Sequence, residues 1–294
     1  MTEYVLSCCS TVDLTPEYME KRDIKYICFN YSVDGVSYKD DMGVSIKTSE
    51  LHKRMLDGAD AKTSQVSVGE YVEYFTSFLK DGKDILHCTL SSGISGTYNS
   101  ACTAADILKE QFPDKKIYIV DSLEASSGYG LFMDKLADLK EEGMDIDSLL
   151  TWAEENKLNV NHWFFSSDLT FFIRGGRVSK TAGAIGKVLS ICPLLNVDYM
   201  GRLISREKIR TKKKAILRAA EKMEELADNG IEYSDKVFIS NSDPDGAKAL
   251  ADLIAERFPK IKGKVEIFDI GATIGCHTGP GTVALFFWGK KRED

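Results

Sequence analysis

The segment from residue 85 to residue 111, ILHCTLSSGISGTYNSACTAADILKEQ, decides the fold prediction. Its apolar run Ile85–Leu90 is typical of a buried strand. A loop of serine and glycine follows, and then Thr97–Gln111 carries a helical pattern. A strand, a short loop and a helix form one βα unit, which favours an α/β fold built on a parallel sheet.

The same alternation recurs through the first half of the chain. Further strand-like runs are Tyr4–Cys8, Tyr26–Tyr31 and Ile117–Val120. Further helical patterns are Pro16–Lys21, Val68–Leu79, Ser126–Glu141 and Ile146–Lys157. We therefore predict an N-terminal α/β domain over residues 1–158, with a mainly parallel sheet and flanking helices.

The second half has a different texture. Strand-like runs at Trp163–Ser167, Ile191–Val197 and Leu203–Ile209 are followed by a mixture of helices and strands. A turn around Gly201 joins the last two of these runs as a hairpin. The later elements are a helix at Lys212–Asn229, a strand at Val237–Asn241, a helix at Asp245–Phe258 and strands at Val265–Ile270 and Val283–Trp288. This order predicts a C-terminal α+β domain over residues 159–294 with a mixed or antiparallel sheet.

The composition limits the class of protein. Of 294 residues, 43% are hydrophobic and 28% are charged, so the chain can bury a core. The formal net charge of −7 argues against nucleic acid or an anionic membrane as a partner. Seven cysteines without a CxxC pair and four scattered histidines predict neither a disulfide framework nor a metal site. We expect a cytoplasmic protein without a cofactor, a signal peptide or a membrane-spanning segment.

The serine and glycine loop before Thr97 is a candidate anion site. Gly93 and Gly96 let the backbone come close to a ligand, and Ser95 lies where the helix begins. Free N–H groups and the positive end of the helix dipole favour a carboxylate or phosphate there. The alternative is that Ser95 or Thr97 only caps the helix.

The segment KTSQVSVGE, residues 62–70, holds a second group of hydroxyls. Ser67 and Glu70 fit a capping box that opens the next helix. Thr63 and Ser64 precede it in a polar loop, where they either bind a ligand or satisfy the backbone of a turn.

Two glycine-rich segments follow in the second half. In FFIRGGRVSKTAGAIG, residues 171–186, Arg174 and Arg177 bracket a glycine pair and could hold an anion, although a solvated basic turn is the commoner arrangement. The glycines at 175, 176, 183 and 186 indicate a close approach of the backbone to a neighbour. In IGATIGCHTGPG, residues 270–281, we predict a loop in which His277 donates a hydrogen bond, acts as a base or merely packs. His87, inside an apolar strand run, is predicted to be a core residue.

Two functions outside ligand binding remain open from the residues. Ser95 precedes a helix and His277 lies downstream, as in a Ser/His acyl-ester hydrolase. However, Gly93-Ile94-Ser95-Gly96-Thr97 lacks the last glycine of the nucleophile elbow. The basic stretch from Arg206 to Lys214 either docks another protein or forms a solvated face.

Taken together, five stretches resemble the DegV family of bacterial fatty-acid-binding proteins. They are TSQVS (63–67), LSSGISGTYNSA (90–101), DSLEASSGYG (121–130), FFIRGGRVS (171–179) and IGCHTGPG (274–281). The likeness spans a DegV domain over about residues 3–290. It implies a two-domain α/β protein that encloses a long-chain fatty acid such as palmitate or oleate, with a role in lipid transport or fatty acid metabolism.

The resemblance also implies roles for single residues. Thr63, Ser95 and His277 would hold the carboxylate, and no residue would be catalytic. Ser64, Gly96 and Arg174 would be secondary contacts of the ligand or a partner. Some family members present the acyl carboxylate to a fatty acid kinase, and Arg174 stands where the family links an arginine to that kinase.

The chain departs from the family pattern at a few positions. Cys9 stands where the family's first strand usually ends in an aspartate, which puts the role of that aspartate in doubt here. Val66 replaces a common proline. Thr278 and Thr282 replace apolar or small residues.

Overall fold

A computed structural model describes residues 3–179, 191–261 and 263–293. The strands are β1 (Tyr4–Cys9), β2 (Ile24–Ile27), β3 (Asn30–Val33), β4 (Val36–Lys39), β5 (Ala61–Ser64), β6 (Asp84–Thr89), β7 (Ile117–Asp121), β8 (Val160–Ser166), β9 (Ile191–Val197), β10 (Leu203–Arg210), β11 (Val237–Asn241), β12 (Val265–Asp269) and β13 (Thr282–Trp288). The helices are α1 (Pro16–Lys21), α2 (Thr48–Leu56), α3 (Val68–Lys80), α4 (Thr97–Gln111), α5 (Ser126–Glu141), α6 (Ile146–Asn156), α7 (Thr170–Arg174), α8 (Lys212–Leu226), α9 (Pro244–Arg257) and α10 (Ala272–Thr278).

The first sheet is parallel, in the order β2-β1-β6-β7. Every residue of β1 and β6 is buried, as expected for central strands with helices on both faces. The segment that opened the fold prediction forms β6 and α4, and α4 begins and ends where the sequence pattern placed it. The prediction of an α/β fold on a parallel sheet is confirmed.

The second sheet has six strands in the order β10-β9-β8-β13-β11-β12. β11 and β12 are parallel, whereas the other neighbouring pairs are antiparallel. The predicted hairpin joins β9 to β10, and Gly201 takes a φ of 71° in its turn. The prediction of a mixed sheet in the second half is confirmed.

A third, three-stranded sheet in the order β4-β3-β5 was not predicted. The predicted single strand Tyr26–Tyr31 is wrong, because it is divided between β2 and β3, which belong to different sheets. The strand pattern is interrupted at Phe29, whose backbone N–H donates to the Ser10 side chain. The prediction of a loop at Thr63 and Ser64 is also wrong, since both lie in β5 and pair with β3.

The histidine segment is a helix rather than the predicted loop. Its residues Ala272–Thr278 form α10 despite a glycine at 275. The glycines at 271 and 275 permit close approach to neighbouring side chains, and this packing outweighs their low helix propensity. The glycines predicted at 183 and 186 to approach a neighbour lie outside the described residues.

Helix α5 lies in the centre of the structure. It contacts β1 of the first sheet and β8, β11 and β13 of the second. Most of its residues are buried, on all sides of the helix, which is typical of a helix enclosed by a core. A side chain at Gly128 would overlap His162 and Phe286, so the second sheet packs directly against the α5 backbone. The two large sheets therefore share one hydrophobic core. No helix in the described ranges is both long enough and apolar enough to cross a membrane.

Asp134 on α5 joins the two halves of the chain. Its buried carboxylate lies 2.9 Å from Arg22 Nε and 2.5 Å from Lys236 Nζ, and it accepts a hydrogen bond of 2.7 Å from Tyr18 Oη. Removing this carboxylate would take the close partner from Lys236 and Tyr18 and leave the mostly buried Arg22 with only its more exposed partners, Asp138 and Glu141.

We therefore expect Asp134→Ala to lower the free energy of unfolding by about 3–5 kcal/mol, measured by chemical denaturation. The matched control is Asp252→Ala, which removes an exposed carboxylate 2.8 Å from Lys248. That variant should lose less than about 1 kcal/mol. Equal losses in the two variants would contradict a special role for Asp134.

Candidate functional site

A cavity of about 240 Å³ lies between the second sheet, the loop before α4, strand β5 and helix α10. Apolar side chains form most of its wall. Among them are Phe29, Ile94, Phe164, Phe172, Leu203 and Phe286. Polar side chains from both halves of the chain interrupt this wall.

Thr63, Ser95 and His277 all line this cavity, although they are far apart in the sequence. Thr63 Oγ1 and His277 Nε2 are 2.8 Å apart and share a hydrogen bond. Pairing of β5 with β3 places Thr63, and the last turn of α10 places His277. The structure thus brings together the three residues expected to hold a carboxylate.

Ser95 lines the cavity and also bonds to the first residue of α4. Its hydroxyl oxygen accepts a hydrogen bond of 3.3 Å from the N–H of Thr97, at the start of α4. The residue therefore helps to cap the helix. Because a hydroxyl has one donor and two acceptor positions, its O–H is still able to donate to a ligand in the cavity.

His277 is neutral at physiological pH. Burial and, secondarily, the nearby Arg177 guanidinium lower the pKa of His277 from 6.5 to about 4. A neutral imidazole carries one proton. If Nε2 holds that proton and donates it to Thr63, the Thr63 hydroxyl is free to donate onward to a ligand. Nδ1 has no hydrogen-bond partner and lies against the backbone of Gly175.

The site is therefore suited to an amphiphile with a small anionic head. Hydroxyls and a neutral imidazole offer hydrogen bonds to the head, and the aromatic and aliphatic wall accommodates an apolar chain. Within residues 3–179, 191–261 and 263–293, no cluster of three His, Cys, Asp or Glu side chains is arranged to hold a metal ion.

The family model described as "Uncharacterised protein, DegV family" matches residues 9–290. This chain belongs to the DegV family. A DegV domain-containing protein of Clostridium perfringens is 36% identical, with all of both chains covered.

Two solved structures have the same fold as this DegV protein. A Thermotoga maritima protein, reported to reveal a fatty acid binding function, is 28% identical with a TM-score of 0.82. A DegV family protein of Thermus thermophilus, described by its fatty acid binding, is 25% identical with a TM-score of 0.85. Each match covers 99% of this chain and 100% of the other.

The three secondary residues expected in the DegV site behave differently from one another. Gly96 lines the cavity, and a side chain there would overlap the Gln65 amide. Ser64 and Arg174 are exposed and do not line it. The Arg174 guanidinium instead lies 5.4 Å from the centre of the Phe171 ring. Arg177, the other arginine of the pair, lines the cavity and donates to the carbonyl of Ile94.

His162 and Gln65 also line the cavity and were missed by the sequence reasoning. His162 Nε2 lies 2.6 Å from the buried Glu124 carboxyl, which also bonds to Arg292 near the C-terminus. Burial lowers the pKa of His162 well below 6.5. His162 directly precedes the predicted strand run Trp163–Ser167, and Gln65 lies two residues after Thr63 in a motif already noted.

Cys9 forms part of a buried polar cluster with Tyr71 and His87. Its thiol lies 3.2 Å from Tyr71 Oη and 3.8 Å from His87 Nε2. Burial raises the pKa of Cys9 to about 11, so the thiol is neutral. His87 is fully buried, which confirms its prediction as a core residue.

We expect the imidazole of His277 to titrate near pH 4, measured by NMR of the folded protein. The unfolded value is higher, so the unfolded chain binds the proton more strongly. Stability from the neutral residue is present above pH 6.5 and is lost as the pH falls toward 4. Over this range, His277→Gln should reduce the acid loss of unfolding free energy by up to about 1.4 kcal/mol per pH unit. A titration midpoint near 6.5 would contradict the burial of this residue.

A second prediction concerns Gly175. A side chain there would overlap His277 Nδ1, so Gly175→Ala should displace the imidazole. Because burial is the main cause of the low pKa, a displaced and less buried imidazole should have a pKa above 4. NMR titration of the variant measures this shift. Gly69→Ala is the control, because its side chain would meet no atom within 4 Å. An unchanged pKa of His277 in Gly175→Ala would refute the close packing.

Proposed function

We propose that this DegV protein binds a long-chain fatty acid such as palmitate or oleate. Thr63, Ser95 and His277 hold the carboxylate, and the apolar wall encloses the chain. The hydrogen bond of 2.8 Å between Thr63 and His277, in an otherwise mainly apolar cavity, is the observation that carries the proposal. The fatty acid binding of family members 28% and 25% identical supports the same ligand class.

Burial of the acyl chain provides most of the binding free energy. Each methylene contributes about 0.8 kcal/mol, so about 14 methylenes give on the order of 11 kcal/mol before ordering costs are subtracted. The head group then mainly sets the orientation of the ligand. The three proposed head-group residues are uncharged, and the only charged side chain in the described cavity wall is Arg177, which bonds to the backbone carbonyls of Ile94 and Gly175.

We propose a carrier rather than an enzyme. The hydrolase alternative requires a base within hydrogen-bonding reach of Ser95. His277 Nε2 bonds instead to Thr63, and no hydrogen bond in the described part of the chain joins Ser95 to His277. A fluorophosphonate probe should leave Ser95 unlabelled, and labelling there would favour the hydrolase.

The proposal includes a setting for this carrier. All seven cysteines are unpaired, which suits the reducing cytoplasm. Arg174 is exposed and so is available to a kinase that would phosphorylate the carboxylate. We also propose two domains that meet near residue 158, because among residues 3–179, 191–261 and 263–293 no strand pairing joins the sheets on the two sides of that point.

The ligand itself provides the first test. We expect a long-chain fatty acid to be released from the purified, denatured protein and detected by mass spectrometry. A protein that releases none, and that binds neither palmitate nor oleate in titration, would contradict the proposed function.

The head-group assignment has a separate test. Thr63→Ala and His277→Ala should each weaken palmitate binding about tenfold or more, since a hydrogen bond to a charged group is worth about 1.5–3 kcal/mol. Isothermal titration measures the change. Ser64→Ala is the matched control, because Ser64 is the next residue of β5 and is exposed. Unchanged affinity in the Thr63 and His277 variants would refute the assignment.

A further inference from the structure

The start of α10 faces two buried carboxyl groups from the N-terminal half. The N–H of Thr273 donates to Asp40 Oδ2 at 3.1 Å. The backbone N–H groups of Ala272 and Gly271 face the carboxyls of Asp40 and Asp13 and favour their ionised forms. The first donors of the helix, which have no partner within the helix, thus face side chains distant in sequence.

Asp13 is itself fixed in place. Its carboxyl accepts a short hydrogen bond from Ser126 Oγ, which lies 2.8 Å from Ser240 Oγ. Its backbone carbonyl accepts a bond of 3.0 Å from Ser127 Oγ. A side chain at Gly271 would lie 2.5 Å from Asp13 Oδ1, so the helix start rests directly on this carboxyl.

The rest of α10 is held with equally little clearance. A side chain at Gly275 would lie 2.8 Å from His52 Nε2, and His277 packs against the Gly175 backbone. Thr273 and His277 are four residues apart, about 6 Å along the helix axis. Because the helix is short and closely packed, we expect a displacement of Thr273 to move His277 by a similar distance.

The buried carboxyls are costly for stability alone. Asp13 and Asp40 are 3% and 1% exposed, and the Oδ1 atom of each has no hydrogen-bond partner. Burial raises the pKa of both groups, that of Asp13 well above its usual range. An arrangement that costs folding energy and contacts the helix carrying a head-group residue indicates a role in orienting that helix.

We propose that Asp40, together with Asp13, is a positioning residue that sets His277 at the head of the cavity. The carboxyl of Asp40 holds the first turn of α10, and the helix carries this constraint to the imidazole. The effect on ligand binding rests on the proposed function, whereas the effect on the imidazole does not.

The test compares palmitate with 1-hexadecanol, which has the same chain and no carboxylate. Asp40→Ala should weaken palmitate binding about tenfold, equal to about 1.4 kcal/mol, and change hexadecanol binding less than about twofold. Asp40→Asn should stay close to the wild type, because its side-chain oxygen still accepts from Thr273. Asp41→Ala is the control, since this neighbouring carboxylate bonds to Ser45 instead.

NMR of His277 supplies a readout that needs no ligand. Asp40→Ala should raise the pKa of His277 from about 4, whereas Asp41→Ala should not. Gly271→Ala is a second variant that displaces the helix start without removing a carboxyl, and it should act in the same direction.

Two results would overturn the proposal. One is an unchanged His277 titration in both Asp40→Ala and Gly271→Ala. The other is an equal loss of palmitate and hexadecanol binding in these variants. If the wild-type protein binds palmitate and the variants give either result, the positioning role is contradicted and the proposed function is not. A wild-type protein that binds neither ligand contradicts the proposed function, and the NMR titration then decides the positioning role alone.

Discussion

The hydrogen bond between Thr63 and His277 joins residues 214 positions apart in the sequence. This part of the cavity wall therefore forms only when the two halves of the chain pack together. Neither residue is placed by its own neighbours in sequence. Thr63 needs the small third sheet, and His277 needs a helix that rests on carboxyls from the other half of the chain. The site is therefore a property of how the two halves pack, and α5, enclosed between them, fixes that packing.

The neutrality of the cavity follows from its burial. A charged lysine in such a wall would be strongly disfavoured without a partner, whereas hydroxyls and a neutral imidazole cost less to bury when they bond to one another. Arg177 brings a positive charge to the cavity wall, and its guanidinium donates to the backbone carbonyls of Ile94 and Gly175. The cavity wall is thus mainly apolar, with a few polar side chains from both halves of the chain.

The sequence predicted the large sheets well, because periodicity reports burial of whole elements. The bounds of α1, α4 and α5 were predicted without error. It failed for the third sheet and for α10, whose structures depend on partners distant in sequence and whose glycines resemble those of a loop. At the site, local patterns supported only Ser95, and the family resemblance supplied Thr63 and His277. Gln65 and His162 also line the cavity, but their local sequence did not predict that position, which depends on tertiary packing.

The central position of helix α5 has a consequence for folding during translation. The strands that cover it include β11 and β13, which follow it by about 100 and 140 residues in the sequence. Until those residues emerge, the apolar side of α5 that faces the second sheet has nothing to cover it. Folding of the N-terminal half during translation would therefore produce an intermediate with exposed apolar surface, of the kind that chaperones bind. The cavity, whose wall includes His277, forms only after that residue has been synthesised.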